Sequence, residues 1–411
     1  MSRRPLLPLA FVAAMALAGC TSADLARVPY SAVDAVQADI PGMPRVRFYA
    51  DTEASVFDSF TGKAGSANDQ PISYLALSGG GADGAFGAGL LKGLTESGRR
   101  PDFTIVSGVS TGALMAPMIF LGPHYDDLLA TLYSGDSAAG LIKKVNVFNA
   151  VFGNALVESD KLGKLVAKYI DADVLAAIAA EHRKGRRLFV ATTNLDSQRA
   201  VVWDIGAIAT SGSPDALSLA RQVITASASI PSLFPPRLVS VEGNGHSFKE
   251  MHVDGSTVQQ IFVAPDDVLF GERKGRSFPR LKHLYVLLNN KIEPTFTVTP
   301  NETLAVGARS LSTILRREVQ TNVQASYAFA QRHGVGFHLA AIPGSYDDSA
   351  ADSFDPAFMA QLYAYGVAQG KSASPWAGAP PAPPPFAANA PPPIPQPSAP
   401  DRLVTAATAP K

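Results

Sequence analysis

The chain has 411 residues, with 35 basic side chains balanced against 35 acidic ones and a single cysteine. That length suits one large α/β domain with tails, and the even charge without a long basic run argues against nucleic acid as a partner. One cysteine excludes an intrachain disulfide, so an oxidising compartment would add nothing to stability.

The N-terminus reads Met1-Ser2-Arg3-Arg4, followed by an almost wholly apolar run from Leu6 to Ala18. A basic start and an apolar stretch too short to span a bilayer form the pattern of an export signal, here residues 1–19. It ends in Leu17-Ala18-Gly19-Cys20, which resembles the bacterial lipobox, with Cys20 as the lipidated first residue of the mature chain. The expectation is an exported lipoprotein of the bacterial cell envelope, held at the outer membrane by lipid rather than by charge. An ordinary signal peptide or an uncleaved anchor are the alternatives. Residues 20–70 read as a tether and irregular lead-in, with turn signals at Pro41-Gly42 and Thr61-Gly62.

The organised part is expected over residues 71–345. It starts with a short β-like run, Ile72 to Leu77, which breaks at Ser78-Gly79-Gly80-Gly81. A helical pattern follows, with Phe86, Leu90, Leu91 and Leu94 at spacings of three and four. Phe103-Thr104-Ile105-Val106 is a second strand, and Ala113 to Leu121 reads as helix. Strand, loop, helix, strand, turn, helix is the rhythm of a parallel sheet. Further strands are expected at 187–193, at 200–204 as a hairpin partner, at 252–254, at 283–288 and at 335–342, with helices at 217–227 and 304–331. The fold expected is α/β, a three-layer sandwich with a mostly parallel central sheet flanked by helices. Residues 346–371 read as a C-terminal helical segment, and 372–411 as an extended, disordered Pro/Ala-rich tail.

Three motifs in this body carry candidate chemistry. Gly79-Gly80-Gly81-Ala82-Asp83-Gly84 fits Gly-x-Gly-x-x-Gly between a strand and a helix. It reads as a dinucleotide loop, as a set of backbone N–H donors for an oxyanion, or as a plain tight turn. The dinucleotide reading needs an acid about 20 residues on; Asp102 is the one available, and it precedes the next strand instead of ending it. Gly108-Val109-Ser110-Thr111-Gly112 sits between strand and helix, where a sharp turn lifts a serine hydroxyl clear of the backbone and leaves no room for a Cβ on either side. Asp254-Gly255-Ser256 is a carboxylate at a strand end, or a surface turn. His283, His333 and His338 all follow Asp254, so chain order permits a Ser-Asp-His triad, while His252 reads as structural. No Cys or His cluster has metal-ligand spacing; neither a metal nor a cofactor is expected.

Taken in order, the glycine loop at 79–84, the elbow at 108–112 and Asp254-Gly255 resemble the patatin-like phospholipases, bacterial acyl hydrolases related to the plant storage lipase. Between them, Ala226-Ser227-Ala228-Ser229-Ile230-Pro231-Ser232-Leu233-Phe234-Pro235-Pro236 is similar to the family's small-residue segment with its Ile-Pro and Phe-Pro steps. The resemblance spans about residues 72–290. It implies a patatin-like fold and a membrane phospholipid or other lipid ester as substrate. It also implies Ser110 as nucleophile, Asp254 as its base in a Ser-Asp dyad, and Gly79, Gly80 and Gly81 as oxyanion donors, with Gly84, Gly108, Gly112 and Gly255 supporting the turns. Two residues depart from the family pattern. Asp83 stands where many members carry Arg or Lys, which implies no strong preference for anionic phospholipids, and Ser256 stands where Gly or Ala is usual. A general esterase with a histidine triad and a non-catalytic envelope lipoprotein are the competing readings.

Overall fold

Both faces of the central strands are apolar, and that decides the architecture. In the computed structural model, residues 27–62, 64, 71–134, 160–231, 233–271, 280–346 and 355–382 are described. The export signal, Cys20 and the Pro/Ala-rich residues 383–411 lie outside them. The chain divides into a body that runs to Pro380 and a remainder from Pro381, of which only two residues are described.

The strands are β1 (Arg47–Tyr49), β2 (Ile72–Leu77), β3 (Ile105–Val109), β4 (Arg187–Asn194), β5 (Arg199–Asp204), β6 (Arg237–Gly243), β7 (His246–Asp254), β8 (Leu281–Lys291) and β9 (Gly336–Ile342). They form one sheet in the order β1-β5-β4-β3-β2-β8-β9, with β7 pairing β4 and β6 pairing β7. The ladder from β4 through β3, β2 and β8 to β9 is parallel. β5 pairs β4 antiparallel as the expected hairpin, and β1 closes that edge.

Six helices carry the packing that matters here: α1 (Ala54–Thr61), α2 (Gly84–Glu96), α3 (Thr111–Leu121), α4 (Ala216–Ser227), α5 (Thr303–His333) and α6 (Pro356–Lys371). Side chains alternate across a strand, so each strand feeds two cores. Tyr74, Ala76, Phe189 and Ala191 pack with Phe57 and Phe60 of α1 and with Val319, Val323 and Phe329 of α5. Leu75, Leu77, Leu188 and Val190 pack on the other face with Phe86 and Leu90 of α2, Met115 of α3, Val223 of α4 and Leu362 of α6. Helices over both faces of a mostly parallel sheet make the three-layer α/β sandwich.

The structure moves the boundaries read from sequence. The lead-in is part of the body: β1 pairs Trp203 of β5 through Arg47, and Phe57 of α1 is fully buried. Likewise the Pro/Ala-rich tail does not begin at Ser372. Ala377 exchanges backbone hydrogen bonds with Leu339 at 2.7 and 2.8 Å, and Trp376 meets Tyr285 edge-on. The β6–β7 hairpin was not expected, although its turn, Asn244-Gly245 with φ of 52° and 77°, is the two-residue type that asparagine and glycine favour.

α6 does more than follow the domain. A Cβ at Gly89 of α2 would fall 2.1 Å from the Tyr363 carbonyl oxygen, and one at Gly366 of α6 would fall 2.3 Å from that of Phe86. The two helices therefore touch backbone to backbone, which fixes the helix whose N-terminus faces the glycine loop. No described helix is long and apolar enough to cross a membrane.

Candidate active site

A change of partner along one edge of β4 builds the site. From Arg187 to Ala191, β4 pairs with β3; from Thr192 to Asn194 it pairs with β7. β3 runs parallel and ends opposite Ala191 at Val109, while β7 runs antiparallel and ends opposite Thr192 at Asp254. The two strands thus meet end to end, and the residues that terminate them face each other. Ser110 Oγ donates to Asp254 Oδ2 at 2.6 Å, across 144 residues of chain.

Ser110 holds φ 55° and ψ −123°, a backbone conformation that a residue with a side chain adopts only under constraint. The constraint is crowding. A Cβ at Gly112 would lie 2.6 Å from the Leu77 carbonyl oxygen, so α3 starts in direct contact with the end of β2. Gly108 and Gly255 back in the same way onto the carbonyl oxygens of Gly112 and Ala191, each at 2.4 Å. Gly84 leaves space for Thr111 and Tyr133, whose hydroxyls bond to each other at 2.7 Å beneath the elbow.

The glycine loop lies against the serine: a Cβ on Gly79 would come 3.1 Å from Ser110 Cβ. Its peptide planes are held from behind. Ser78 Oγ and Asn290 Nδ2 donate to the Gly79 carbonyl at 2.6 and 2.8 Å, and the Asp83 N–H donates to the Gly80 carbonyl at 3.0 Å. In a trans peptide the next N–H points opposite to the held carbonyl. The N–H groups of Gly80 and Gly81 are accordingly turned outward, and they find no acceptor among the described residues. Gly79 differs from the expectation of three donors, because its N–H is directed to the Gln260 carbonyl at 3.4 Å. The helix beyond starts as a 3-10 turn, Gly81–Asp83, before α2.

Ser110 is 4% exposed and Asp254 2%. Burial pushes the Asp254 carboxyl up to about 6, against the opposing pull of the Ser110 hydroxyl and the Ser256 N–H that donate to it. A carboxyl raised in this way is a stronger base for a serine hydroxyl than an ordinary aspartate.

Several supporting side chains were not among the expected site residues. Ser227 at the end of α4 accepts from the Ser110 N–H at 3.0 Å and donates to the Ala191 carbonyl at 2.6 Å. The carbonyl of Ser229 accepts from the Asp254 N–H at 3.0 Å. The small-residue segment at 226–229 therefore braces both members of the pair, a role its sequence signals only through residue size. Asn289 Nδ2 donates to the Ser78 carbonyl at 3.1 Å, and its Oδ1 accepts from Gly87 N–H at 3.2 Å. These asparagines end an apolar strand, and only the parallel pairing of β8 with β2 brings them to the loop.

The histidines lie elsewhere. His252 is fully buried, with Nδ1 on Thr192 Oγ1 at 2.9 Å and Nε2 on Glu250 at 3.1 Å. His283 pairs in register with Ser73 at the amino end of β2, about 13 Å along the strand from its carboxyl end. Its Nδ1 meets His338 Nε2 at 3.1 Å, and His333 packs on Phe329 at the far end of α5. Among the described residues none of the three reaches Ser110 or Asp254. Asp102 is likewise at the amino end of β3, remote from the glycine loop, which leaves the dinucleotide reading without its ribose acid. Among the described residues no three His, Cys, Asp or Glu side chains converge as metal ligands.

Residues 75–265 match the protein-family model described as Patatin-like phospholipase. Similar solved structures include chains of VipD and ExoU. VipD from Legionella pneumophila shares 13% identity over 74% of this chain and 67% of its own, with a TM-score of 0.36. The type III effector ExoU shares 14% over 73% of this chain and 54% of its own, with a TM-score of 0.28. ExoU in complex with SpcU, from the type III secretion system of Pseudomonas aeruginosa, shares 16% over 74% and 53%, again with a TM-score of 0.28. The chain thus spans about two thirds of VipD and about half of ExoU. No curated protein matches it at a significant level. Residues 75–265 thus carry a patatin-like phospholipase domain, a domain of lipid acyl hydrolases.

Proposed function

We propose that this protein hydrolyses carboxylic ester bonds of membrane phospholipids or related lipid esters through a Ser110–Asp254 dyad. The observation that carries the reading is the 2.6 Å hydrogen bond from the strained Ser110 to the buried Asp254. In the first step Asp254 takes the hydroxyl proton while Ser110 Oγ bonds to the ester carbonyl carbon. The Gly80 and Gly81 N–H groups receive the oxygen that becomes negative, assisted by the N-terminal end of α2. Collapse breaks the bond to the leaving alcohol, which takes the proton from Asp254, and an acyl-serine remains. Water then attacks that ester with Asp254 again as base, releasing the fatty acid and restoring the serine.

A fluorophosphonate probe should label the protein, and Ser110→Ala should abolish the labelling; label retained in that variant overturns the assignment. Products from phospholipid, lysophospholipid and simple ester substrates then define the class cleaved. Location belongs to the same proposal. Leu17-Ala18-Gly19-Cys20, which holds the chain's single cysteine, supports an exported lipoprotein anchored at the outer membrane. Metabolic labelling with a clickable fatty acid should mark the chain and should be lost in Cys20→Ser.

A further inference from the structure

One helix of this protein is packed along only half its length. α5 has 31 residues, and its buried ones run from Val319 to Ala330. Across residues 301–314 every side chain is exposed except those of Ala305 and Arg309, which are half-buried. A helical segment of that size without tertiary support is marginal in water. It is laced instead to the loop that follows β8. Arg309 donates to the Thr295 carbonyl, Arg316 to that of Glu293, and Gln320 to that of Ile292 at 2.9 Å. Loop and half-helix together form an arm.

The arm stands at the carboxyl end of the parallel strands, where Ser110 also lies. Its loop leaves β8 just after Asn289 and Asn290, which hold the glycine loop. Asn322 Oδ1 accepts from Ile261 N–H at 3.2 Å, beside Gln260, whose carbonyl meets the Gly79 N–H. From that level α5 descends to the amino end of β9 in one direction. In the other it extends about 27 Å outward to Leu304.

The surface of the arm gathers exposed apolar side chains. Among the described residues thirteen large apolar side chains are exposed, and six of them fall here: Phe296, Val298, Leu304, Val306, Leu311 and Ile314. Phe296 and Val298 are 83% and 79% exposed. Between Glu302 and Glu318 the helix carries three arginines and no acid. Apolar side chains and an aromatic ring beside a helix segment whose only charges, between Glu302 and Glu318, are cations suit the boundary between lipid phosphates and acyl chains.

We propose that this arm docks the enzyme on a phospholipid bilayer, its apolar side chains entering the acyl layer and Arg317 meeting the phosphates. A lipid leaving the bilayer would then emerge beside the Ser110 site. The phosphate is common to zwitterionic and anionic lipids, so the arm needs no anionic head group in the catalytic site. The proposal rests on the lipid acyl hydrolase reading.

The test uses the full chain with Cys20→Ser, so that acylation cannot mask the arm, and compares it with the same chain carrying Leu304→Ser, Leu311→Ser and Ile314→Ser. Flotation with phosphatidylethanolamine–phosphatidylglycerol vesicles is measured in a Ser110→Ala background. Hydrolysis of a soluble short-chain ester and of vesicle phospholipid is measured with Ser110 intact. The triple variant should lose at least about tenfold in vesicle binding and in vesicle hydrolysis, with soluble ester turnover within about twofold. Unchanged vesicle binding overturns the arm. So does a dimer that the variant converts to monomer while vesicle binding persists, since a second copy would then be the occupant. If the unsubstituted chain hydrolyses neither substrate, the activity reading fails while flotation still decides the arm.

Discussion

At the carboxyl ends of the parallel strands Ser110 and Asp254 meet at 2.6 Å, and at the amino ends His283 and His338 meet at 3.1 Å. Both are pairs of chemically capable side chains joined by one hydrogen bond, yet their settings differ in every other respect. Ser110 sits at φ 55° on a turn crowded by backbone, Asp254 is buried, and two nearby N–H groups find no acceptor among the described residues. The histidines project from regular neighbouring strands, with His283 exposed. Strain, desolvation and oriented donors make the first pair a candidate for reaction, and residue type alone does not make the second one.

The contrast is sharpened most by Asp254→Asn. We expect ester hydrolysis to fall about 10²–10⁴-fold while the fold is kept, because the proposed general base is lost and its volume is not. The same change should stabilise the protein at neutral pH. The folded carboxyl titrates at about 6 against an ordinary 3.8, so the native state binds the proton more tightly. Stability therefore falls as pH rises from about 4 to about 6, and it stays lower above that. Asparagine removes this loss, which is of order 1–3 kcal/mol, and thermal melts of the two proteins should converge near pH 4. Equal melts at pH 8 would contradict the burial argument.

In the unsubstituted protein, kcat/KM should climb through an apparent pKa near 6 and lie about tenfold below its plateau one pH unit under it. A profile flat down to pH 4 would mean that Asp254 is not the base. Gly112→Ala tests the strain of the elbow. Its Cβ must displace the Leu77 carbonyl oxygen from 2.6 Å, so urea unfolding should show a loss of about 1–3 kcal/mol together with reduced activity. Replacing both His283 and His338 with alanine should change turnover by less than about twofold. A large loss there would restore a histidine to the mechanism and erase the distinction between the two ends.

Much of the site was legible because its parts are local. Gly108 to Gly112 and Gly79 to Gly84 are backbone requirements, and a backbone that leaves no room for Cβ must be written as glycine. The alternation of Tyr74 and Ala76 with Leu75 and Leu77 likewise announces a strand buried on both faces. Elements without such local demands are less legible in the sequence. The helix over residues 54–61 looked like lead-in because Phe57 and Phe60 acquire meaning only against β1 and β4. Trp376 and Ala377 looked like the start of a proline-rich tail because their partners, Tyr285 and Leu339, are remote in sequence. Ser227 lies in the stretch similar to the family's small-residue segment, but Asn289 and Asn290 carry ordinary residue types, and nothing near them in the chain marks them as supports for the glycine loop.

By itself the sequence determined the layered α/β class, the strained serine turn, the glycine loop and the strand-ending aspartate, since each is a short-range consequence of backbone sterics or of period-two burial. Asp254 as the partner of Ser110 was implied by the family resemblance, not by local backbone demands; which acid the serine meets is chosen by tertiary pairing. That choice follows from β4 exchanging β3 for β7 along a single edge, which joins Val109 to Asp254 end to end. Tertiary pairing also decided that Gly80 and Gly81, but not Gly79, keep their N–H groups open, and that the first half of α5 is left uncovered. These outcomes depend on pairings between distant segments, whose energies no local pattern of residues contains.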